Sequence, residues 1–284
     1  SKGEDGNLYL GIHQHSWKAA ENANAITFTC IADGCYLEKN FAYTVALDAA
    51  NSTYSGIEKK ATVIKTYNDS DDLGLPTIPA ITYQKYNGTK YIDIEGTPKD
   101  AGTYLAILEI TNSDNTTATA VLEYSISKAP LTVTANNNEI TYGDNPGNKG
   151  VSYSGFVNNE DAGVLGGTLN YTYSYEQYDN VGNAYTITPA GLTSDNYDIT
   201  YVPGTLKVNQ LEAKLAWENT ADRTYGDGKG DVTAKVTNLV NNDVIDVTVS
   251  GGDTLTAGTH TATATGLTGD KAGNYKLPAN VTRE

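Results

Sequence analysis

Apolar and polar residues alternate with a period of two along much of this 284-residue chain. In ATAVLEYSIS, Ala118, Ala120, Leu122, Tyr124 and Ile126 share one side. Thr119, Glu123, Ser125 and Ser127 share the other, and Val121 is the apolar exception. Side chains of a strand point to opposite faces in turn, so this pattern predicts a half-buried β-strand. LTVTA places Leu131, Val133 and Ala135 on one face, and YTIT from Tyr185 and HTATA from His260 alternate likewise. In YNGTKY, Asn87-Gly88 sits between two strand-like runs and predicts a hairpin with a type I′ turn, both central residues having positive φ. Helix-forming stretches are almost absent, while Gly, Thr and Asn are common.

The strands come in a recurring order. TYGD occurs at Thr141–Asp144 and Thr224–Asp227, with a weaker version, TYSG, at Thr53–Gly56. A second phrase follows each: AGTYLAI from Ala101, VGNAYTIT from Val181 and AGTHTATA from Ala257. Two further phrases link the last two stretches: GFVNNED from Gly155 with NLVNND from Asn238, and GLTSDNY from Gly191 with GLTGDKAGNY from Gly266. Phrases returning in order at a period of about 80 residues predict tandem homologous domains, too long for solenoid repeats and suited to small sandwiches. The expected fold is therefore all-β: tandem Ig-like β-sandwich domains in an extended rod. The expected borders are a separate β segment over 1–40, then domains over 41–128, 129–209 and 210–284. The joins at Lys128–Pro130 and Asn209–Leu211 are short, which favours semi-rigid connection.

LTVTANNNEITYGDNPG, YSGFVNNEDAGVLGG and GNAYTITPAGLTSDNYDITYVPGTLKV together resemble the MBG/YDG-type immunoglobulin-like repeat of bacterial surface and adhesin proteins. Tyr142–Asp144, Asn196-Tyr197 and Leu206–Val208 carry that likeness. The stretch from Leu211 is similar but shorter. The first domain, with GTPKDAGTYLAIL, resembles Ig-like modules of secreted Gram-positive proteins. The resemblance implies display at the bacterial cell surface and, through the family's name, contact with mucin or host glycan.

Charge narrows the partners. The chain has 34 acidic and 19 basic residues, a net charge of −15. Such a chain repels phosphate backbones, so nucleic acid is not an expected partner. No apolar run is long enough for a membrane helix. The chain contains no Met, even at position 1, and is expected to be a processed or excised fragment. Its 21 Tyr stand against 3 Phe and 2 Trp. A tyrosine fills a core while its hydroxyl reaches water or a backbone group, which suits thin domains.

Candidate chemistry concentrates near the N-terminus. His13 and His15 lie two apart, on one face if the segment is a strand, and Cys30 and Cys35 flank an Asp33-Gly34 turn. These four residues can supply a tetrahedral zinc site, or Cys30 and Cys35 can form a disulfide in an oxidising compartment. Free thiols are the third possibility. Asp69, Asp71 and Asp72 cluster in YNDSDD, either as calcium ligands or, more simply, as a solvated acidic loop. His260 takes the place of Tyr104 and Tyr185 among the aligned phrases, which points to packing rather than acid–base use. In TYGD the glycine permits a turn and the Asp bonds nearby amides. Asn51-Ser-Thr and Asn115-Thr-Thr are sequons that matter only in a eukaryotic secretory route. No phosphate-binding loop or nucleophile elbow is present. The functional expectation is a non-catalytic stalk or adhesion module of a secreted or wall-attached bacterial protein, with no cofactor other than the zinc above. The alternative is a host glycan- or mucin-binding module using exposed Tyr, Asn and Asp; an extracellular protein is a further possible partner.

Overall fold

The computed structural model describes residues 15–32, 42–69, 73–222, 224, 231–252 and 257–284. They form an all-β protein with only two short 3-10 turns, Ala162–Val164 and Ala272–Asn274. Contacts group the chain into two compact units. The first comprises the described part of Ser1–Pro130 together with Gly155–Val164 and Ser194–Asp198; the second comprises Leu131–Ser154, Leu165–Thr193 and the described part of Ile199–Glu284.

The first unit contains strands β1 (Trp17–Asn22), β2 (Ala25–Cys30), β3 (Ala42–Asp48), β4 (Ser52–Thr53), β5 (Thr62–Lys65), β6 (Thr82–Tyr86), β7 (Tyr91–Ile94), β8 (Gly102–Thr111) and β9 (Thr117–Ser127). They make one sheet in the order β1-β2-β3-β5 and another in the order β4-β9-β8-β6-β7. β2 runs antiparallel to β3, with Ala25 opposite Ala46, so one sheet crosses the border expected at residue 40. β8 and β9 pair over their whole length, from Gly102 opposite Ile126 to Thr111 opposite Thr117. The alternation of β9 is the one its sequence predicts: Ala118, Ala120, Tyr124 and Ile126 are buried and Val121 is exposed.

In the second unit, the described strands continue as β10 (Ala129–Ala135, its first two residues in the first unit), β11 (Asn138–Thr141), β12 (Val151–Ser154), β13 (Gly166–Tyr173), β14 (Gly182–Thr193), β15 (Tyr197–Val202, beginning in the first unit) and β16 (Gly204–Asn209). Then follow β17 (Leu211–Glu212), β18 (Leu215–Glu218), β19 (Thr233–Val236), β20 (Asp246–Gly251), β21 (Ala262–Thr268), β22 (Tyr275–Lys276) and β23 (Thr282–Arg283). The sheets are β12-β10-β15, β11-β16-β14-β13, β18-β19-β20-β21-β23 and the parallel pair β17-β22. Where β9 is one strand, β15 and β16 are two that enter different sheets, with Pro203 between them. Gly204 makes this crossing possible: a methyl group there would lie 2.4 Å from the Ala135 carbonyl oxygen.

Tyrosine forms much of both cores. Tyr54, Tyr83, Tyr104, Tyr124, Tyr142, Tyr175, Tyr197 and Tyr275 are buried. Each hydroxyl has a partner, as a buried polar atom requires. Tyr104 donates to the Asp100 carbonyl at 2.7 Å, Tyr124 to the Lys59 carbonyl at 2.7 Å, and the Tyr83 hydroxyl accepts the Ala61 amide at 3.0 Å.

The β6–β7 hairpin corrects one expectation. Tyr86 pairs with Tyr91, so the loop has four residues rather than two. Among the residues of that loop only Gly88 has positive φ, +95°. Asn87 instead accepts the Thr89 and Lys90 amides on its side-chain oxygen, each at 3.0 Å, which holds it in a side-chain-closed turn.

Candidate functional site: two tyrosine–carboxylate clasps

The recurring phrases meet in space, and they do so twice. Each meeting begins with a tight turn. In Val157-Asn158-Asn159-Glu160 the Glu160 amide donates to the Val157 carbonyl at 3.0 Å. Asn158 and Asn159 have φ of 53° and 58°. In Val240-Asn241-Asn242-Asp243 the Asp243 amide donates to the Val240 carbonyl at 2.9 Å, and φ is 50° and 57° at the two asparagines. Consecutive left-handed residues are costly for most side chains, and Asn is among the few that tolerate them. The VNN phrase is therefore a turn signature, and its role is to aim the acid that follows.

That acid accepts two tyrosine hydroxyls. In the first unit, Tyr54 donates to Glu160 Oε1 at 2.6 Å and Tyr197 to Glu160 Oε2 at 2.5 Å. The two rings meet edge-on, centroids 5.5 Å apart. In the second unit, Tyr142 and Tyr275 both donate to Asp243 Oδ2 at 2.8 Å, and their rings are also edge-on at 5.5 Å. The downstream tyrosine of each pair closes its own turn by accepting an amide. The Tyr197 hydroxyl takes Val157 N–H and the Tyr275 hydroxyl takes Val240 N–H, both at 3.1 Å.

A second tie runs beside each clasp. Asn196 Oδ1 accepts the Ala101 amide at 2.9 Å, and its Nδ2 donates to Asp100 Oδ1 at 3.0 Å. Asn274 Oδ1 accepts the Val181 amide at 3.0 Å, and its Nδ2 donates to Asn180 Oδ1 at 3.1 Å. Thus the tyrosine of TYSG or TYGD and the residue before the second-phrase glycine supply one half of each clasp. VNN-acid and Asn-Tyr, from later in the chain, supply the other. The first compact unit includes Gly155–Val164 and Ser194–Asp198, the segments that carry this later half.

The tyrosines are held neutral. Burial, then the hydrogen bond to Asp243, pushes Tyr142 up to about 12. Burial also raises Tyr275 to about 12, the Val240 amide opposing and Asp243 adding to the rise. Tyr54 and Tyr197 are raised for the same reasons, burial first and Glu160 after it. A neutral hydroxyl donating to a carboxylate is a charge-assisted hydrogen bond, stronger than one between neutral groups.

Among the described residues, the other candidates form no comparable cluster. Half-buried His15 Nδ1 lies 3.5 Å from Cys30 Sγ, at the open end of the β1–β2 hairpin where Trp17 pairs with Cys30. His13 and Cys35 lie outside the described residues, so the four-ligand set and the disulfide are both open. Among the described residues no group of three or more His, Cys, Asp or Glu is arranged to hold a metal ion. Asp69 pairs with Lys65 at 2.5 Å on the surface, while Asp71 and Asp72 lie outside the described residues. His260 is half-buried. Asp144 accepts the Thr141 amide at 2.9 Å and Gly143 has φ of +96°, the turn expected of TYGD. Tyr225–Asp227 lie outside the described residues. Neither Glu160 nor Asp243 stood out as a functional residue in the sequence. The recurrence of VNN before an acid, in step with TYSG and TYGD, is the signal that finds them.

Fold and clasps define an all-β protein in which repeated phrases are spent on joining one stretch of chain to the next. Residues 131–207 match the family model described as MBG domain (YGX type). The MBG-type likeness of TYGD and the strands around it is thereby borne out over that stretch. No curated protein matches this chain. No helix among the described residues is long and apolar enough to cross a membrane.

Proposed function

We propose that this chain is a non-catalytic stalk or adhesion module of a secreted or wall-attached bacterial surface protein, built of tandem Ig-like domains set end to end. The observation that carries this reading is the clasp made twice from the same phrases, Tyr54–Glu160–Tyr197 and Tyr142–Asp243–Tyr275. A stalk needs joints that resist bending, and a half-buried carboxylate shared by two buried tyrosines fixes a joint by direction as well as by energy. The MBG match supports surface display. The carboxylates of the clasps are engaged by hydroxyl donors, which supports a structural use over an acid–base one. Labelling of intact source cells with an antibody to this chain tests the location: surface labelling lost on protease treatment is expected, and signal confined to permeabilised cells contradicts it.

A second reading, recognition of host glycan or mucin, is favoured by one feature. Tyr86 and Tyr91 stand side by side on the β6–β7 hairpin, ring centroids 5.3 Å apart, and Tyr86 is exposed. Exposed rings stack on the apolar faces of sugars. A glycan array probed with the chain and with a Tyr86→Ala, Tyr91→Ala variant checks it: binding lost in the variant supports this reading, and binding by neither protein removes it.

A further inference from the structure

The two clasps share a plan but differ in every dimension that would decide which turn fits which acceptor. We propose that they are keyed: each acceptor discriminates the length of the carboxylate and the seat of the turn offered to it, so the order of the modules is written into the joints. This rests on reading the clasps as joints between modules.

Carboxylate length is the first difference. Glu160 divides its oxygens, one to each tyrosine, whereas Asp243 serves both tyrosines with Oδ2 alone. The glutamate carries one more methylene between backbone and carboxylate. On the first acceptor an aspartate falls short of Tyr54; on the second a glutamate overshoots the point where two hydroxyls converge. The seat of the turn is the second difference. The first acceptor is Tyr-Ser-Gly, and a methyl group on Gly56 would lie 2.6 Å from Asn158 Cβ, so the first asparagine of the turn rests there. Asn158 Nδ2 also donates to the Gly56 carbonyl at 3.3 Å. The second acceptor is Tyr-Gly, and what rests on Gly143 is Val240, with methyl carbons 3.2 and 3.3 Å from such a group. Val240 corresponds to Val157, so the turn is seated one residue earlier and the glycine stands one residue nearer its tyrosine. Charge is the third difference. The first acceptor offers the Asp100 carboxylate to Asn196. The second offers the neutral Asn180 amide oxygen, which Lys271 also reaches at 3.0 Å.

Four variants of the whole chain test this by amide hydrogen exchange: Glu160→Asp, Glu160→Gln, Asp243→Glu and Asp243→Asn. Amides of Val157 and Ala101, held by Tyr197 and Asn196, report the first clasp; those of Val240 and Val181, held by Tyr275 and Asn274, report the second; and the β8–β9 hairpin reports folding. Glu160→Asp is expected to lower protection of Val157 and Ala101 by about tenfold or more, as Glu160→Gln does, with the second clasp and the hairpin unchanged. Asp243→Glu does the same to Val240 and Val181 alone. If Glu160→Asp and Asp243→Glu keep full protection while Glu160→Gln and Asp243→Asn lose it, the joints stand but are not keyed. If none of the four alters the reporters, the clasps are not joints and the proposal falls with that reading. A loss spread evenly into the hairpin also overturns it, because the acids then act on the whole fold.

Discussion

At the scale of the residue, the tyrosine surplus has a structural use. Thin domains call for rings packed inward with their hydroxyls bonded, and eight tyrosines are buried in this way. What composition did not disclose is that four of them share two carboxylates, since an acid is placed by a turn and not by its abundance. Removing one hydroxyl tests each bond. Tyr142→Phe keeps the ring and deletes one donor to Asp243, and is expected to lower stability by about 1.5–3 kcal/mol in denaturant unfolding. Asp243→Ala strands two buried hydroxyls and is expected to cost more. Alkali tests the same residues. A tyrosine whose pKa is raised by folding keeps its proton more tightly in the native state. Its contribution is complete below its unfolded value, about 10, and is lost as pH rises through its folded value. Tyr142 and Tyr275 reach about 12, so thermal stability is expected to hold up to about pH 10 and to fall between pH 10 and 12. Tyr142→Phe removes part of that fall.

At the scale of the element, alternation showed where strands run but not which sheet each joins. The inward faces of β9 and β10 are the ones their sequences specify, because burial of one face fixes a period of two. The β2–β3 pairing was hidden, since alternation fixes a strand's faces and not its neighbours. So was the division of β15 from β16, although Pro203-Gly204 marks it: the proline ends one ladder and the glycine allows the close crossing over Ala135. Gly204→Ala is expected to destabilise by about 1–3 kcal/mol, read as a lower denaturation midpoint with an unchanged slope. The VNN turns make a complementary case. Asn242→Ala is expected to cost about 1–2 kcal/mol, because alanine bears the full left-handed penalty, while Asn242→Gly costs less.

At the scale of the whole molecule, the period of about 80 residues was legible because phrases return in order. Their purpose was not, because each phrase is bonded to a different phrase drawn from another stretch. TYSG and TYGD taken alone are turns; beside VNN-acid and Asn-Tyr each becomes half of a clasp. In the proposed stalk, Glu160 and Asp243 hold successive modules together. Small-angle scattering of the chain against a Glu160→Ala, Asp243→Ala double variant, with folding of both checked by circular dichroism, is the most direct test. The proposed stalk requires an elongated particle with a well-defined cross-section for the unaltered chain, giving way to a broad, flexible distribution of dimensions in the folded double variant. Identical scattering from the two folded proteins, or a compact globule from the unaltered chain, would contradict it.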